Sequence, residues 1–168
     1  MLSPTLSVPI AVVVGYLASS FLQVVSHRWL GHEPSAQFFF RRHVFDHHRI
    51  YAPKHLVSER YSDVERSLTP YYALLVAAVI GLLYFKLPRA PLLGFSATLV
   101  VSYAVHAYVH EHYHLEKSWL SRWAWFCRRR ELHYMHHRNT RCNFGVLDFY
   151  WDRLFGTFVA AGSLRRRQ

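Results

Sequence analysis

The sequence predicts an all-α integral membrane protein, with about three transmembrane helices and a cytoplasmic, helical, histidine-rich metal-binding cap. Three long stretches without charge predict the helices, and the grouping of most of the 13 histidines predicts the cap. Charged residues make up only 18% of the chain, against about 25% in ordinary soluble domains. The length of 168 residues suits a single domain, 1–168. Burying three such helices in a soluble protein would take a far larger domain, so we expect them to span a membrane.

The charge-free stretches cover approximately residues 5–26, 68–85 and 91–109. Each has roughly the 20 residues that a helix needs to cross about 30 Å of hydrocarbon. No Lys or Arg precedes the first stretch, whereas a secretory signal begins with positive charge, so we expect a retained span. The short segment 86–89 separates the second and third stretches, and Pro88 and Pro91 favour a tight helical hairpin there.

Positive charge sets the predicted orientation. Of the 20 Lys and Arg residues, seven lie in the loop 27–66, two in the hairpin turn and eleven after the third stretch. By the positive-inside rule, the loop 27–66 and the tail 111–168 are cytoplasmic. Ser3 is then outside, and the basic residues 165–167 are inside. The net charge of +10 fits this topology and an attraction to anionic lipid, and we expect no nucleic-acid partner.

Segment 118–137 is predicted to form one amphipathic helix that lies in the lipid headgroup layer. Ser118 is a suitable N-cap, and Trp119, Trp123 and Phe126 follow at the spacing of one helical face. Three successive arginines come next, beside the headgroups. The two cysteines fit neither a zinc spacing nor a disulfide framework, so we expect free thiols.

Histidines are concentrated in four segments, 27–32, 43–48, 106–110 and 133–137. The second segment lies on a predicted short helix, and the last two carry histidines at the spacing of one helical face. All four lie at the cytoplasmic side of the predicted topology. Imidazole binds Zn, Cu, Fe and Ni well, and ten imidazoles exceed the four that a tetrahedral ion takes. The sequence therefore predicts a site for two metal ions with five or six ligands each.

These four segments read HRWLGH, HVFDHH, HAYVH and HYMHH, and NFGVLDFYWDRLFGTF follows them at 143–158. In this order they resemble the fatty acid hydroxylase and sterol desaturase superfamily of integral-membrane di-iron enzymes, over about residues 27–158. The sequence differs from many members in two respects. Its second segment has three residues between the first two histidines, where many members have two, and many relatives have four spans.

By position, the resemblance implies ten metal ligands: His27, His32, His43, His47, His48, His106, His110, His133, His136 and His137. It leaves His55, His112 and His114 as outer or solvent groups. The signature residues that it implies are Asn143, Gly145, Trp151, Asp152 and Gly156. Asp152 is a candidate acceptor for the N–H of a ligating imidazole, and equally a helix cap or a partner of Arg153.

The activity that the resemblance implies is O2-dependent hydroxylation or desaturation of a C–H position of a lipid. A fatty acyl or related chain is the first choice of substrate, with a sterol or carotenoid as the alternative. Two Fe ions would serve as cofactors, with Zn able to replace them on purification. No dinucleotide, iron–sulfur or haem motif is evident, so electrons would come from an external electron-transfer protein or reductase. The membrane would be the inner membrane in a bacterium or the endoplasmic reticulum in a eukaryote, with the active site on the cytoplasmic face.

Two other classes of protein remain open. His110-Glu111-x-x-His114 matches the zinc metallopeptidase pattern, in which two histidines bind one zinc and the glutamate is the general base. That pattern leaves the other histidine segments and the 143–158 tail unexplained. A non-catalytic metal-handling membrane protein would need ligands along its spans, and the spans hold almost none beyond their cytoplasmic ends.

Overall fold

The computed structural model describes residues 4–62 and 68–161, and side chains from residue 7 onward. The predictions for Ser3 and for residues 165–167 lie outside this part of the chain. Every regular element among the described residues is a helix, and an isolated bridge joins Ser58 to Leu115. The prediction of an all-α protein is therefore confirmed for these residues.

The first long helix packs against the longest one. α1 (Pro4–Val25) continues into a π-helical turn, Ser26–Gly31, and its length lies along α4 (Arg89–Tyr113). A Cβ atom on Gly15 would lie 3.0 Å from the backbone oxygen of Phe95, so the missing side chain permits close helix packing. Small residues serve this purpose where helices meet in membranes.

Two helical stretches of the described chain, Ser7–Gly31 and Arg89–Tyr113, are long and apolar enough to cross a membrane. The second predicted span, 68–85, corresponds to α3 (Thr69–Tyr84), which has 16 residues. At 1.5 Å per residue it is about 24 Å long, short of the roughly 30 Å hydrocarbon core. Residues 85–88 join α3 to α4, so the predicted helical hairpin is confirmed.

Polar and aromatic contacts attach the N-terminal end of α3 to its neighbours. The hydroxyl groups of Tyr72 and Ser19, on α1, are 3.2 Å apart, and those of Thr69 and Tyr103, on α4, are 2.7 Å apart. The rings of Tyr72 and Tyr103 stack at 4.2 Å. These contacts hold three helices together beside the histidine-bearing end of α4.

The predicted short helix around residue 43 is present. A 3₁₀ turn, Pro34–Ala36, leads into α2 (Gln37–Phe40), which continues as a second π-helical stretch, Arg41–His48. Both π-helical stretches carry histidines of the predicted metal site.

The prediction of one helix over 118–137 is wrong. The chain forms a 3₁₀ turn, Trp119–Arg122, and then α5 (Ala124–Arg138), with Trp123 between them in extended conformation at φ −102° and ψ 122°. Phe126 is fully buried whereas Trp123 is exposed, so no aromatic stripe runs along one face. Ser118 does serve as a cap, because its hydroxyl accepts a hydrogen bond from the backbone N–H of Leu120.

The tail after α5 returns to α1. Its short helix α6 (Tyr150–Leu154) follows Asp148, whose carboxylate accepts hydrogen bonds from Tyr16 at 3.0 Å and Ser20 at 2.7 Å. The indole N–H of Trp151 donates to the Ser20 hydroxyl at 3.0 Å. The tail is thus fixed beside the end of α1 from which the first histidine segment begins.

A buried apolar cluster adjoins the histidines, with the ring centroids of Tyr113 and His133 5.4 Å apart. It joins α4, the 3₁₀ turn, α5 and the tail: Val109, Tyr113, Leu120, Phe126 and Val146. Its position holds α4 and α5 in a fixed relation, which the metal site requires. Cys127 and Cys142 are both free thiols, as predicted.

Candidate metal centre

Ten imidazoles converge on the interior from α4, α5 and the two π-helical stretches, and they form two groups of five. Group 1 consists of His27, His32, His43, His48 and His136. Group 2 consists of His47, His110, His114, His133 and His137. Within each group, the nitrogen atoms that could bind a metal lie within 4.8 Å of one another.

Group 1 depends on the two π-helical stretches. His27 and His32 are five residues apart, as are His43 and His48. Hydrogen bonds in a π-helix join residues i and i+5, so residues at this spacing share a face. The Nε2 atoms of His43 and His48 accordingly lie 3.1 Å apart. The additional residue in the second histidine segment is accommodated in this way.

Group 2 depends mainly on α-helical spacing. His110 lies in the last turn of α4 and His114, four residues on, caps its C-terminal end, whereas His133 and His137 are four apart on α5. Residues i and i+4 share a helical face, so each helix presents a pair. The Nε2 atom of His133 is 3.0–3.1 Å from the Nε2 atoms of the other three. His47 completes the group from the π-helical stretch, 3.2 Å from His137.

Backbone carbonyls of the tail orient two imidazoles of group 1. The Nδ1–H of His27 donates to the carbonyl of Phe144 at 2.6 Å, and that of His136 donates to the carbonyl of Cys142 at 2.7 Å. A carbonyl oxygen can only accept, so Nδ1 carries the proton and Nε2 presents its lone pair. This tautomer is the one that binds a metal through Nε2.

The loop after the second histidine segment does the same for group 2. The Nδ1–H of His137 donates to the carbonyl of Tyr51 at 2.7 Å, and that of His114 donates to the carbonyl of Leu56 at 2.8 Å. The Tyr51 ring also stacks on the His114 ring, with centroids 4.0 Å apart. The two groups thus obtain their outer hydrogen-bond partners from different parts of the chain.

Both groups fit a metal ion. Their imidazole Nε2 atoms approach one another to 2.9–3.2 Å. Two members of each group, His27 and His136 in group 1 and His114 and His137 in group 2, present an Nε2 lone pair by the tautomers described above. The Nε2 atom of His27 is buried and has no hydrogen-bond partner. Two nitrogen atoms at about 2.1 Å from one ion, bound at right angles, would be about 3.0 Å apart, which agrees with these distances.

Burial keeps four of these imidazoles neutral. It lowers the pKa of His48, His133, His136 and His137 far below the ordinary value of 6.5, and the neighbouring imidazoles lower it further. A neutral imidazole is the form that binds a metal, so no proton has to leave before an ion enters at neutral pH.

The structure brings together nine of the ten predicted ligands and replaces the tenth. His106 lies outside both groups, with its ring centroid 6.2 Å from that of His110, and it lines the cavity described below. His114, predicted as an outer group, is fully buried in group 2. His110 is four residues from His114 and equally four from His106, so the spacing made His114 a candidate without deciding between the two.

The other two histidines lie away from the groups. The Nδ1 atom of His112 is 2.9 Å from the Ser118 hydroxyl, and its ring lies 4.3 Å from that of Tyr108. His55 is exposed. His112 therefore supports the turn after α4, and neither it nor His55 belongs to the two groups.

Asp152 is fully buried. It was a candidate acceptor for an imidazole N–H, but its carboxylate binds the backbone of the tail instead. One carboxylate oxygen accepts from the Phe144 N–H at 2.8 Å and the Thr157 hydroxyl at 2.7 Å, and the other accepts from the Gly145 N–H at 2.7 Å. The Arg153 guanidinium lies over an aromatic ring of the tail, so the alternative of a pair with Asp152 also fails.

The remaining signature residues shape the tail. Asn143 and Gly156 have positive φ angles of 55° and 68°, a region that Gly adopts freely and Asn tolerates. A Cβ atom on Gly145 would overlap the backbone oxygen of Asp148, so only glycine fits. Trp151 attaches the tail to α1 through Ser20.

A cavity of about 920 Å³ opens onto both groups of histidines. It lies between α1, α3 and α4, and its wall is mostly apolar and aromatic. His27 and His43 of group 1 line it, as do His110 of group 2, His106 and Glu111. A cavity of this size and polarity suits an apolar small molecule held beside the imidazoles.

Comparison with known families gave one result: the family model described as fatty acid hydroxylase matches residues 12–157. The match includes both groups of histidines and the tail through Thr157. No curated protein sequence and no solved structure matched the chain. The apolar helices and this family together fit a membrane protein.

Proposed function

Because the chain belongs to the fatty acid hydroxylase family, we propose that it is a membrane-bound, O2-dependent di-iron oxidoreductase. It hydroxylates or desaturates a C–H position of a lipid, with a fatty acyl or related chain as the first choice of substrate. One observation carries the proposal: two groups of five imidazoles adjoin one largely apolar cavity, and each group contributes at least one imidazole to its wall.

Groups 1 and 2 each hold one iron ion, which zinc can replace on purification. Bound iron with O2 supplies the oxidising power toward an unactivated C–H bond that no side chain has. The chain's own residues orient the ligands: the backbone carbonyls fix the Nδ1–H tautomers, and burial keeps the imidazoles neutral. Exact orientation matters because a reacting group displaced by about 1 Å can lose 10²-fold in rate.

The cavity binds the substrate chain. Leu74, Leu75 and Ala78 of α3 form part of its wall, and an apolar wall both accepts a lipid chain and excludes water. Since imidazoles of both groups line the cavity, a chain in it passes beside both. A lipid can enter sideways from the bilayer, without leaving the membrane.

The proposed membrane arrangement has three spans, with α3 as the shortest, the N-terminus outside and the histidine groups at the cytoplasmic face. The charge distribution supports it. Electrons come from an external electron-transfer protein or reductase, because the sequence holds no redox cofactor motif of its own. The membrane is the inner membrane in a bacterium or the endoplasmic reticulum in a eukaryote.

The zinc peptidase alternative explains less of the site. His110 and His114 do share one group, as the H-E-x-x-H pattern requires. A catalytic zinc, however, takes three protein ligands and keeps a position open for water, whereas group 2 brings five imidazoles together. The pattern also assigns no role to group 1.

The experiment that tests the proposal combines metal analysis with labelled oxygen. We expect two transition-metal ions per chain in protein purified in detergent. We expect membranes that contain the protein to form a lipid with one atom from ¹⁸O2, or a lipid with two fewer hydrogens. One zinc ion per chain, lost in His114→Ala and kept in His136→Ala, would contradict the proposal.

A further inference from the structure

We infer that Asp152 is a positioning residue for group 1 alone: it folds the segment 142–145 so that two backbone carbonyls orient the imidazoles of His27 and His136. The inference rests on the proposed function only in that group 1 holds a metal ion. It assigns a role to an acidic residue that touches no ligand directly.

The Asp152 carboxylate holds the segment 142–145 in its fold. The Asp152 carboxylate is fully buried and accepts from two consecutive backbone N–H groups, those of Phe144 and Gly145. The Thr157 hydroxyl donates to it as well. A buried carboxylate with three donors fixes the backbone more firmly than a neutral acceptor would, because hydrogen bonds to an ionised group are about twice as strong.

Asn143 lies between Cys142 and Phe144 with a φ of 55°, and this turn aims both flanking carbonyls at group 1. Its side chain is held on both sides: the amide N–H group donates to the carbonyl of Leu132 at 3.2 Å, and the amide oxygen accepts from the N–H of Val159 at 2.9 Å. Asn143 and Asp152 thus fix the same short segment from opposite ends.

Asp152 supports group 1 and not group 2, because the two groups use carbonyls from different segments. The carbonyls of segment 142–145 accept from His27 and His136, which are both in group 1. The corresponding carbonyls for group 2 belong to Tyr51 and Leu56, in a different loop. A change at Asp152 should therefore lower the affinity of group 1 for its metal ion and leave the affinity of group 2 unchanged.

The expected size follows from the general effect of outer hydrogen-bond partners. Loss of a partner that orients a ligating imidazole typically costs 10–100-fold in metal affinity. In Asp152→Asn, the amide NH₂ replaces one carboxylate oxygen and faces the N–H of Phe144 or Gly145, so one of them loses its acceptor. We expect an affinity loss of about 10–100-fold at group 1.

The test measures metal release from the purified holoprotein to a chelator, ion by ion. Asp152→Asn should release one of two ions at about 10–100-fold lower chelator concentration and the other as the wild type does. Asp148→Asn is the matched control, because Asp148 also anchors the tail but binds Tyr16 and Ser20 of α1. It should release both ions like the wild type.

Combination with a ligand variant identifies the ion. In His136→Ala, which lacks the ion of group 1, addition of Asp152→Asn should change nothing. In His137→Ala, which lacks the ion of group 2, addition of Asp152→Asn should lower the affinity for the one remaining ion. Equal weakening of both ions in Asp152→Asn, or a weaker ion in the His136→Ala background, would show a general structural role and overturn the inference.

Thr157→Val provides a milder variant in case Asp152→Asn does not fold. It removes one of the three donors to Asp152, so the same single ion should be weakened to a smaller degree. Unchanged release of both ions in Thr157→Val and in any folded Asp152→Asn protein would also overturn the inference. Selective metal loss in these variants, together with a wild-type protein that holds both ions but forms no oxidised lipid, would refute the proposed function and leave the role of Asp152 intact.

Discussion

His136 and His137 are neighbours on α5, yet their imidazoles belong to different groups. Consecutive residues of an α-helix point about 100° apart, which allows one helix to serve two sites. We predict that His136→Ala and His137→Ala each lower the metal content from two ions to one per chain, and that they remove different ions. Since loss of an outer partner already costs 10–100-fold, loss of the ligand should exceed about 100-fold in affinity.

The stability of the two variants should change by similar amounts. Each imidazole is almost fully buried, with 0% and 4% exposed, and each donates to a buried carbonyl at 2.7 Å, that of Cys142 or Tyr51. Truncation leaves that carbonyl without its donor, at a cost of about 1–3 kcal/mol in either case. A difference in which ion is lost cannot then be attributed to general destabilisation.

Double variants provide the assay. Metal content per chain is measured by mass spectrometry after treatment with a mild chelator. His32→Ala with His136→Ala should retain one ion, because both residues lie in group 1. His133→Ala with His136→Ala should retain none. The division into two groups is refuted if either single variant loses both ions, or if the first double variant does.

Four further predictions concern other parts of the protein. Glu111→Gln should keep both ions and at least roughly a tenth of the activity, which corresponds to a rise of about 1.4 kcal/mol in the activation barrier. His110→Ala should lose the ion of group 2 and all activity. Abolished turnover with full metal content in Glu111→Gln would make the glutamate catalytic. His106→Ala should keep both ions and His114→Ala should lose one, measured as metal per chain, and the reverse result would restore His106 as a ligand. The metal-free protein should lose stability as the pH falls below about 6.5, because burial lowers the pKa of His48, His133, His136 and His137 and the unfolded chain then binds more protons. The loss should be about 1.4 kcal/mol per pH unit for each of these four imidazoles; thermal unfolding midpoints that are constant between pH 5 and 8 would contradict this. Reporter fusions should place the N-terminus outside and the C-terminus in the cytoplasm, and two termini on one side would mean that α3 does not cross the membrane.

Much of the site could be predicted from spacing alone. Helical geometry determines which residues share a face, so the pairs within each histidine segment were visible as patterns along the chain. Nine of the ten grouped imidazoles were identified in this way, together with the apolar helices and the family. The π-helical turns were not predicted, although pairs of histidines five residues apart are the pattern that such a turn serves.

Errors arose where packing between distant segments decides the outcome. Both His106 and His114 are four residues from His110, so no local pattern decides which of them joins His110 in a group; packing against His133 and His137 of α5 does. The break at Trp123 has the same origin, because Phe126 turns inward against Tyr113 and so ends the common aromatic face. These features depend on burial in three dimensions.

By itself, the sequence predicted a helical, apolar protein with clustered imidazoles as candidate ligands for metal, and nine of these imidazoles lie in the two groups. Only the tertiary structure decided how they divide, with His136 in one group and His137 in the other, and how the tail supports them. The physical reason is that a ligand's residue type and helical face are local properties, whereas its partners are not. Asp152 binds the N–H of Phe144, and the carbonyl of Phe144 accepts from His27. This connection exists only because the fold brings together residues more than a hundred positions apart.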